Sequence, residues 1–195
     1  VETVRTWGLT TVYLATATAG DAEMADRIRR HRRERPVHWM TVEEPLHPAR
    51  PMSRLAPGTV VILDCLTVWV ANLLLAAWQE KTALKGASTP VPPDRALRQA
   101  AAITRRRALS SIDAVNQAVR RRGLRLLAVS NEVGAGLVPP YPLGRLYRDL
   151  LGEVNQRLAA RADRVVYLVA GIPLVLKEGT AAETPSAPER AEARG

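Results

Sequence analysis

Residues 60–78 read VVILDCLTVWVANLLLAAW, an apolar run that approaches the length of a membrane span. It holds Asp64, Thr67 and Asn72, and a carboxylate in hydrocarbon is expensive, so a buried strand followed by a helix fits better. Gly58 introduces the strand VVILDCL, and the helical pattern continues through Trp78.

The neighbouring segments extend the same pattern. TVYLATAT, residues 11–18, is β-branched and aromatic-rich without clean alternation, as expected for a strand covered on both faces, and reads as a core parallel strand. Residues 21–35 predict a short, very basic helix stopped by Pro36, with Thr18 and Asp21 spaced like a capping box. Residues 36–57 are punctuated by proline and carry no expected element. Residues 80–94 mix charge, glycine and prolines and predict a loop excursion. A long helix follows over 95–122, with Leu97, Ala101, Ile112, Val115 and Val119 in its apolar stripe and Gly123 as its stop. A strand is expected at 124–130, a glycine- and proline-rich loop at 131–142, an amphipathic helix at 143–162 and a last strand at 164–170. Strands alternating with helices imply an α/β fold with a mostly parallel sheet flanked by helices. One domain is expected over 1–177 and a disordered tail over 178–195, where Ala, Glu, Pro, Ser, Thr and Arg offer almost nothing to bury.

Composition narrows the setting. The single cysteine, Cys65, forms no intramolecular disulfide, and VETVRTW carries neither a charged region followed by an apolar run nor a small-residue cleavage site. A cytoplasmic protein without a membrane span is expected. The net charge of +9 comes almost wholly from arginine, since only Lys81, Lys85 and Lys177 are lysines. Arginine suits bidentate grip on phosphate, so an anionic ligand such as a nucleotide or a nucleic acid is one reading and a basic solvated surface the other. Against a nucleic-acid-binding module stand few aromatics and no stacking motif within the basic runs.

In open α/β sheets, ligands gather at the carboxyl ends of the strands. That rule selects Ala15, Thr16, Ala17 and Thr18 after the first strand, Asp64 after VVIL, and Asn131 and Glu132 after the strand at 124–130. Asp64 has the form of a Walker B acid, which helps hold magnesium against nucleotide phosphates; it also suits a helix N-cap. No G-x-x-x-x-G-K-[ST] phosphate loop occurs in the chain. His31 shares a helix face with Met24 and Ile28 amid Arg27, Arg29, Arg30, Arg32, Arg33 and Arg35. The plain reading is a solvated basic helix; the sharper one is a nucleophile for an α-phosphorus whose developing charge the arginines neutralise. His38 and His47 receive no role, and Cys65 is expected to be a small buried hydrophobe.

Five stretches together carry a resemblance: YLATAT; DAEMADRIRRHRRERPVHW with Glu43 beyond it; VVILDCLTVWVANLL; VSNEVGAGLVP; and YRDLLGEVNQRLAARAD. Over roughly residues 1–177 the chain resembles the bifunctional adenosylcobinamide kinase/adenosylcobinamide-phosphate guanylyltransferase family of cobalamin biosynthesis. The resemblance implies a RecA-like P-loop NTPase fold, usually a homotrimer. It implies phosphorylation of the aminopropanol hydroxyl of adenosylcobinamide, with GTP or ATP as donor. It further implies transfer of GMP from GTP, through a guanylyl-histidine, to adenosylcobinamide phosphate, giving adenosylcobinamide-GDP. The histidine falls on His31. Nucleotide contacts fall on Ala15, Thr16, Ala17, Arg32, Arg33, Glu34, Arg35, Glu43 and Asp64, with magnesium at Asp64, directly or through water. Ala17 stands where the family often has Ser, which leaves backbone contacts there. Asn131, Glu132, Asn155 and Gln156 match the family pattern without an assigned role. The family opens with a strand and G-G-x-R-S-G-K-S, then a helix bearing Ala-Glu that Val1-Glu2 matches. The chain is therefore expected to start just past the phosphate loop, lacking the first strand, as a truncated fragment or from a misplaced start. A catalytically dead remnant is the competing expectation.

Overall fold

The computed structural model describes residues 9–82 and 93–179. The chain falls into two compact units, Val1–Arg157 and Leu158–Gly195.

The first unit is an α/β layer structure. Its strands are β1 (Thr11–Ala15), β2 (Met40–Glu43), β3 (Val60–Asp64) and β4 (Arg125–Val129), all parallel, in the order β2-β1-β3-β4. Its helices are α1 (Ala22–Glu34), α2 (Ala49–Met52), α3 (Leu66–Thr82), α4 (Pro93–Arg122) and α5 (Pro142–Ala159), the last running two residues past Arg157. Every residue of β1 and the first four of β3 are buried, as both-face apolar strands in a covered parallel sheet should be. On one sheet face Tyr13, Ala15, Trp39, Val60 and Ile62 form a cluster against which Leu127 packs.

In α3, Leu66, Trp69, Val70, Leu73, Leu74 and Ala77 are buried at three- and four-residue spacing, so the run at 60–78 is a strand and a core helix. Within the described residues no helix is long and apolar enough to cross a membrane. α4 turns a stripe of small residues inward, Ala96, Ala100, Thr104 and Ala108, before Ile112 and Val115. These permit close approach to α3, where the Thr104 hydroxyl lies 3.4 Å from the Leu73 carbonyl. Gly123, at φ 60°, ends α4: its N–H donates to Arg120 O, and Leu124 N–H to Val119 O.

Several boundaries differ from expectation. Thr18 does not cap α1; Asp21 does, its carboxylate accepting the Met24 N–H at 2.7 Å. The stretch at 36–57 contains β2 and α2. The helix expected from 95 starts at Pro93, because proline lacks only a donor that the first turn leaves unpaired anyway. With α3 reaching Thr82, the 80–94 excursion narrows to 83–92, which lies outside the described residues. α3 starts at Leu66, so its cap position falls on Cys65, whose Sγ accepts the Val68 N–H at 3.5 Å, and the Asp64 carboxylate accepts instead from Tyr13.

The second unit contains β5 (Arg164–Val169) and β6 (Ile172–Glu178), an antiparallel hairpin turned by Ala170 and Gly171, both at positive φ. β6 takes in residue 178 of the expected tail; 180–195 lie outside the described residues.

Candidate nucleotide site

The parallel register places one row of residues along the carboxyl edge of the sheet. Ala15 pairs with Glu43 on one side and with Asp64 on the other, and Asp64 pairs with Val129. Four segments separated in sequence therefore emerge side by side: Thr16–Ala17, Glu44–Pro45, Cys65–Leu66 and Ser130–Asn131.

Thr16 ties these exits together. It is fully buried; its hydroxyl donates to Cys65 O at 2.8 Å and accepts from Cys65 N–H at 3.0 Å, while its own N–H donates to Asp64 O. The Thr16 carbonyl accepts from Asn72 Nδ2 at 2.8 Å, and that amide also lies 3.3 Å from Pro45 O. Thr16 thus fixes the strand ends, and Ala17 is the residue of this segment that faces open space. Ala15 contributes its carbonyl to Glu44 N–H.

Beyond the row lies an open cavity of about 510 Å³, with Ala17, Thr18, Ile28, Arg29, Arg32 and Glu43 in its lining. Its size is that of a small-molecule pocket. Arg32 Nη2 donates to Glu43 Oε1 at 2.8 Å, closing an ion pair whose side chains are both half exposed. Such a pair holds at most about 1 kcal/mol, so an incoming phosphate can take over the guanidinium at small cost.

Asp64 sits in a different contact set. The Tyr13 hydroxyl donates to Asp64 Oδ2 along a diagonal of the β1–β3 register, since Tyr13 pairs with Ile62. Burial first, then the hydrogen bond to the carboxylate, holds the Tyr13 phenol well above its ordinary value. The Arg35 guanidinium lies 3.5 Å from the Tyr13 ring centroid and donates through Nη1 to Thr41 Oγ1 at 3.2 Å. Its Nε is buried without a partner. Burial also pushes the Cys65 thiol up, which keeps it protonated and unreactive.

The site residues named from sequence therefore divide. Ala17, Arg32 and Glu43 meet at the cavity. Arg35 and Asp64 meet through Tyr13. His31, Arg33 and Glu34 stand exposed at the end of α1 and are not among the cavity lining. Tyr13 and Asn72 are additions that no motif singles out; the β1–β3 pairing brings Tyr13 to Asp64, and α3 brings Asn72 to Thr16.

The sequence profile described as cobinamide kinase / cobinamide phosphate guanyltransferase matches residues 2–176. This chain belongs to that family. It is 37% identical over 171 residues to the bifunctional adenosylcobalamin biosynthesis protein CobP of Pseudomonas aeruginosa, covering 87% of this chain and 84% of that protein. It is 39% identical over 168 residues to the bifunctional adenosylcobalamin biosynthesis protein CobU of Salmonella typhimurium, covering 85% of each. The match thus spans both the cavity lining and the segment after β4.

That segment is firmly held. Asn155 Nδ2 donates to Asn131 O at 3.1 Å, and its Oδ1 accepts from Ser130 Oγ at 2.6 Å. Asn131 N–H donates to Thr67 Oγ1 at 3.1 Å, and the Tyr147 hydroxyl donates to Thr67 O at 3.1 Å. Asn131 and Asn155, unassigned from sequence, are a clamp between β4, α3 and α5. Gln156 is exposed, and Glu132 Oε1 accepts the Gly134 N–H.

Proposed function

We propose that this protein catalyses both reactions implied by its family at the carboxyl edge of the sheet. In one, the γ-phosphoryl group of GTP or ATP passes to the aminopropanol hydroxyl of adenosylcobinamide. In the other, a neutral His31 nitrogen attacks the α-phosphorus of GTP; the bond to the bridging oxygen breaks, pyrophosphate leaves, and the ring loses its proton. The phosphate of adenosylcobinamide phosphate then attacks the same phosphorus, the P–N bond breaks, and adenosylcobinamide-GDP forms.

The observation that carries this reading is the row Glu43, Ala15, Asp64 and Val129 with a cavity beside it, a ligand position expected of open α/β sheets. Ala17 offers backbone to the ligand. Arg32 exchanges Glu43 for phosphate, and Arg33, Glu34 and Arg35 complete the charged end of α1 around His31. Arg35 also keeps positive charge near Asp64. Ala15 and Thr16 hold the edge in register.

Asp64 is the residue that would hold magnesium. Among the described residues no three His, Cys, Asp or Glu side chains converge, and a single carboxylate suits an ion that keeps several waters and binds mainly through phosphate. When bound, magnesium supplies positive charge against the phosphates. Tyr13, by engaging Oδ2, sets which way the remaining carboxylate oxygen points. Assembly as a homotrimer in the cytoplasm belongs to the same reading and is open to sedimentation equilibrium.

The decisive experiment is incubation with α-labelled GTP and magnesium. A protein-bound label that is lost in acid and absent from His31→Ala is the expected result. An undiminished label on His31→Ala overturns the assignment of the nucleophile.

A further inference from the structure

The loop that follows the Asn155 clamp presents three bare side chains to solvent. Leu137 is 96% exposed, Val138 62% and Tyr141 71%. Scattered apolar residues on a surface need no explanation, but these three share a short loop that is held in place at both ends. At its root, Asn131 is fixed to Thr67 and Asn155. At its far end, Arg145 Nη1 donates to Pro139 O at 3.0 Å and to Pro140 O at 2.8 Å. A Cβ on Gly144 would stand 2.7 Å from Pro139 Cβ, so α5 and the loop pack with no room between them. Three prolines, at 139, 140 and 142, restrict the backbone further. A surface ordered in advance loses little entropy when a ligand lands on it.

Position and charge identify the ligand. The root of the loop bonds through Asn131 to Thr67, three residues beyond Asp64, and the helix that follows the loop bonds to the same residue through Tyr147. The stretch from Val133 to Gly144 is twelve residues without a charge in a chain of net charge +9. A corrinoid ring is broad, with apolar faces and a rim of neutral amides, and carries positive charge at its cobalt. An uncharged apolar platform receives it without the repulsion that the arginine-rich surface would impose.

We propose that Leu137, Val138 and Tyr141 form the platform on which the corrin ring of the cobinamide substrate rests, its aminopropanol arm extending toward Asp64. The proposal rests on the functional reading above and gives that reading a substrate site distinct from the nucleotide cavity. The platform binds the non-reacting part of the substrate, and the loop clamp sets its distance from the reacting end.

The test is equilibrium dialysis of the protein against cobinamide, read by corrin absorbance, beside calorimetric titration with GTP. The triple variant Leu137→Ser, Val138→Ser, Tyr141→Ser is expected to weaken cobinamide binding about tenfold or more, since each substitution removes apolar area that the ligand would bury. Its GTP affinity and sedimentation coefficient stay those of the parent. Tyr141→Phe, which keeps the ring, retains the parent affinity. Cobinamide binding unchanged in the triple variant, with the His31-dependent label intact, overturns the platform alone. A variant that binds cobinamide normally but sediments as a smaller species shows that a second copy covers the loop, and also overturns it. A parent protein that binds no cobinamide overturns the platform and the functional reading together.

Discussion

β3 and β6 are made of similar material and meet opposite fates. VVIL in β3 is buried to the last residue, whereas every residue of IPLVLKE in β6 is exposed, and β5 is scarcely better covered. Apolar, β-branched composition makes both segments strands, but composition does not bury them. β3 lies between β1 and β4 with helices packed about the sheet, while β5 and β6 pair with each other in a separate two-stranded sheet. A lone two-stranded ribbon has little of its own to hold it, so the hairpin should carry a small share of the stability of the chain.

The largest effect belongs to the sheet. Ile62→Ala removes a fully buried side chain from the middle of β3 and should cost about 2–5 kcal/mol, measured by urea denaturation. A loss below about 1 kcal/mol would mean that the core collapses around the cavity, and the contrast with the hairpin would weaken.

Tyr13→Phe probes the polar contact inside the same core. Removing the donor to Asp64 should cost about 1 kcal/mol, because the half-buried carboxylate recovers part of its hydration. The sign with pH is fixed by the raised Tyr13 phenol. Its folded value stands above its unfolded value, so its contribution is complete below the ordinary tyrosine range near pH 10 and is lost as pH rises beyond it. The stability of the parent should therefore fall more steeply than that of Tyr13→Phe above about pH 10. Parallel profiles would remove Tyr13 as the group responsible.

α1 lies between the two extremes. It has no fully buried residue, yet it carries His31 and Arg32, and its start is fixed by Asp21. Asp21→Ala should cost about 1 kcal/mol and fray the first turn, visible as faster amide exchange at Met24. If exchange at Met24 is unchanged, the packing of Met24 and Ile28 outweighs the cap.

The sequence was most legible where composition and context agreed. Val60–Asp64 and Thr11–Ala15 each declare a buried strand, and the pattern of α4 and α5 follows from their apolar stripes. β2 was not legible: Met40–Glu43 is only four residues long, lies among prolines and is half covered, so pairing with β1 makes it a strand. The site divides the same way. Asp64 and Glu43 could be named because they end strands or match a family motif, but the Tyr13–Asp64 contact requires knowing that β1 and β3 are neighbours. Asn72 reaches Thr16 O across 56 residues of chain, and no local spacing announces it. The hairpin had a usable signal in Ala170-Gly171 between two apolar runs, since glycine accepts positive φ freely at the second turn position.

The smallest expected effect is the most telling for the comparison. Ile172 opens β6 and is 70% exposed, so Ile172→Ser exchanges a side chain that already faces water. Surface substitutions of this kind stay within about 0.5 kcal/mol, whereas a covered isoleucine would cost several times more. A thermal midpoint unchanged by Ile172→Ser, beside a large drop for Ile62→Ala, would establish that two strands of like composition differ only in what lies over them. A loss above about 1.5 kcal/mol would instead mean that the hairpin face is buried in the protein as it exists in solution. Sedimentation of the same variant then separates the two ways of covering it: a dissociated species points to another copy of the chain, and an unchanged one to cover from within the chain itself.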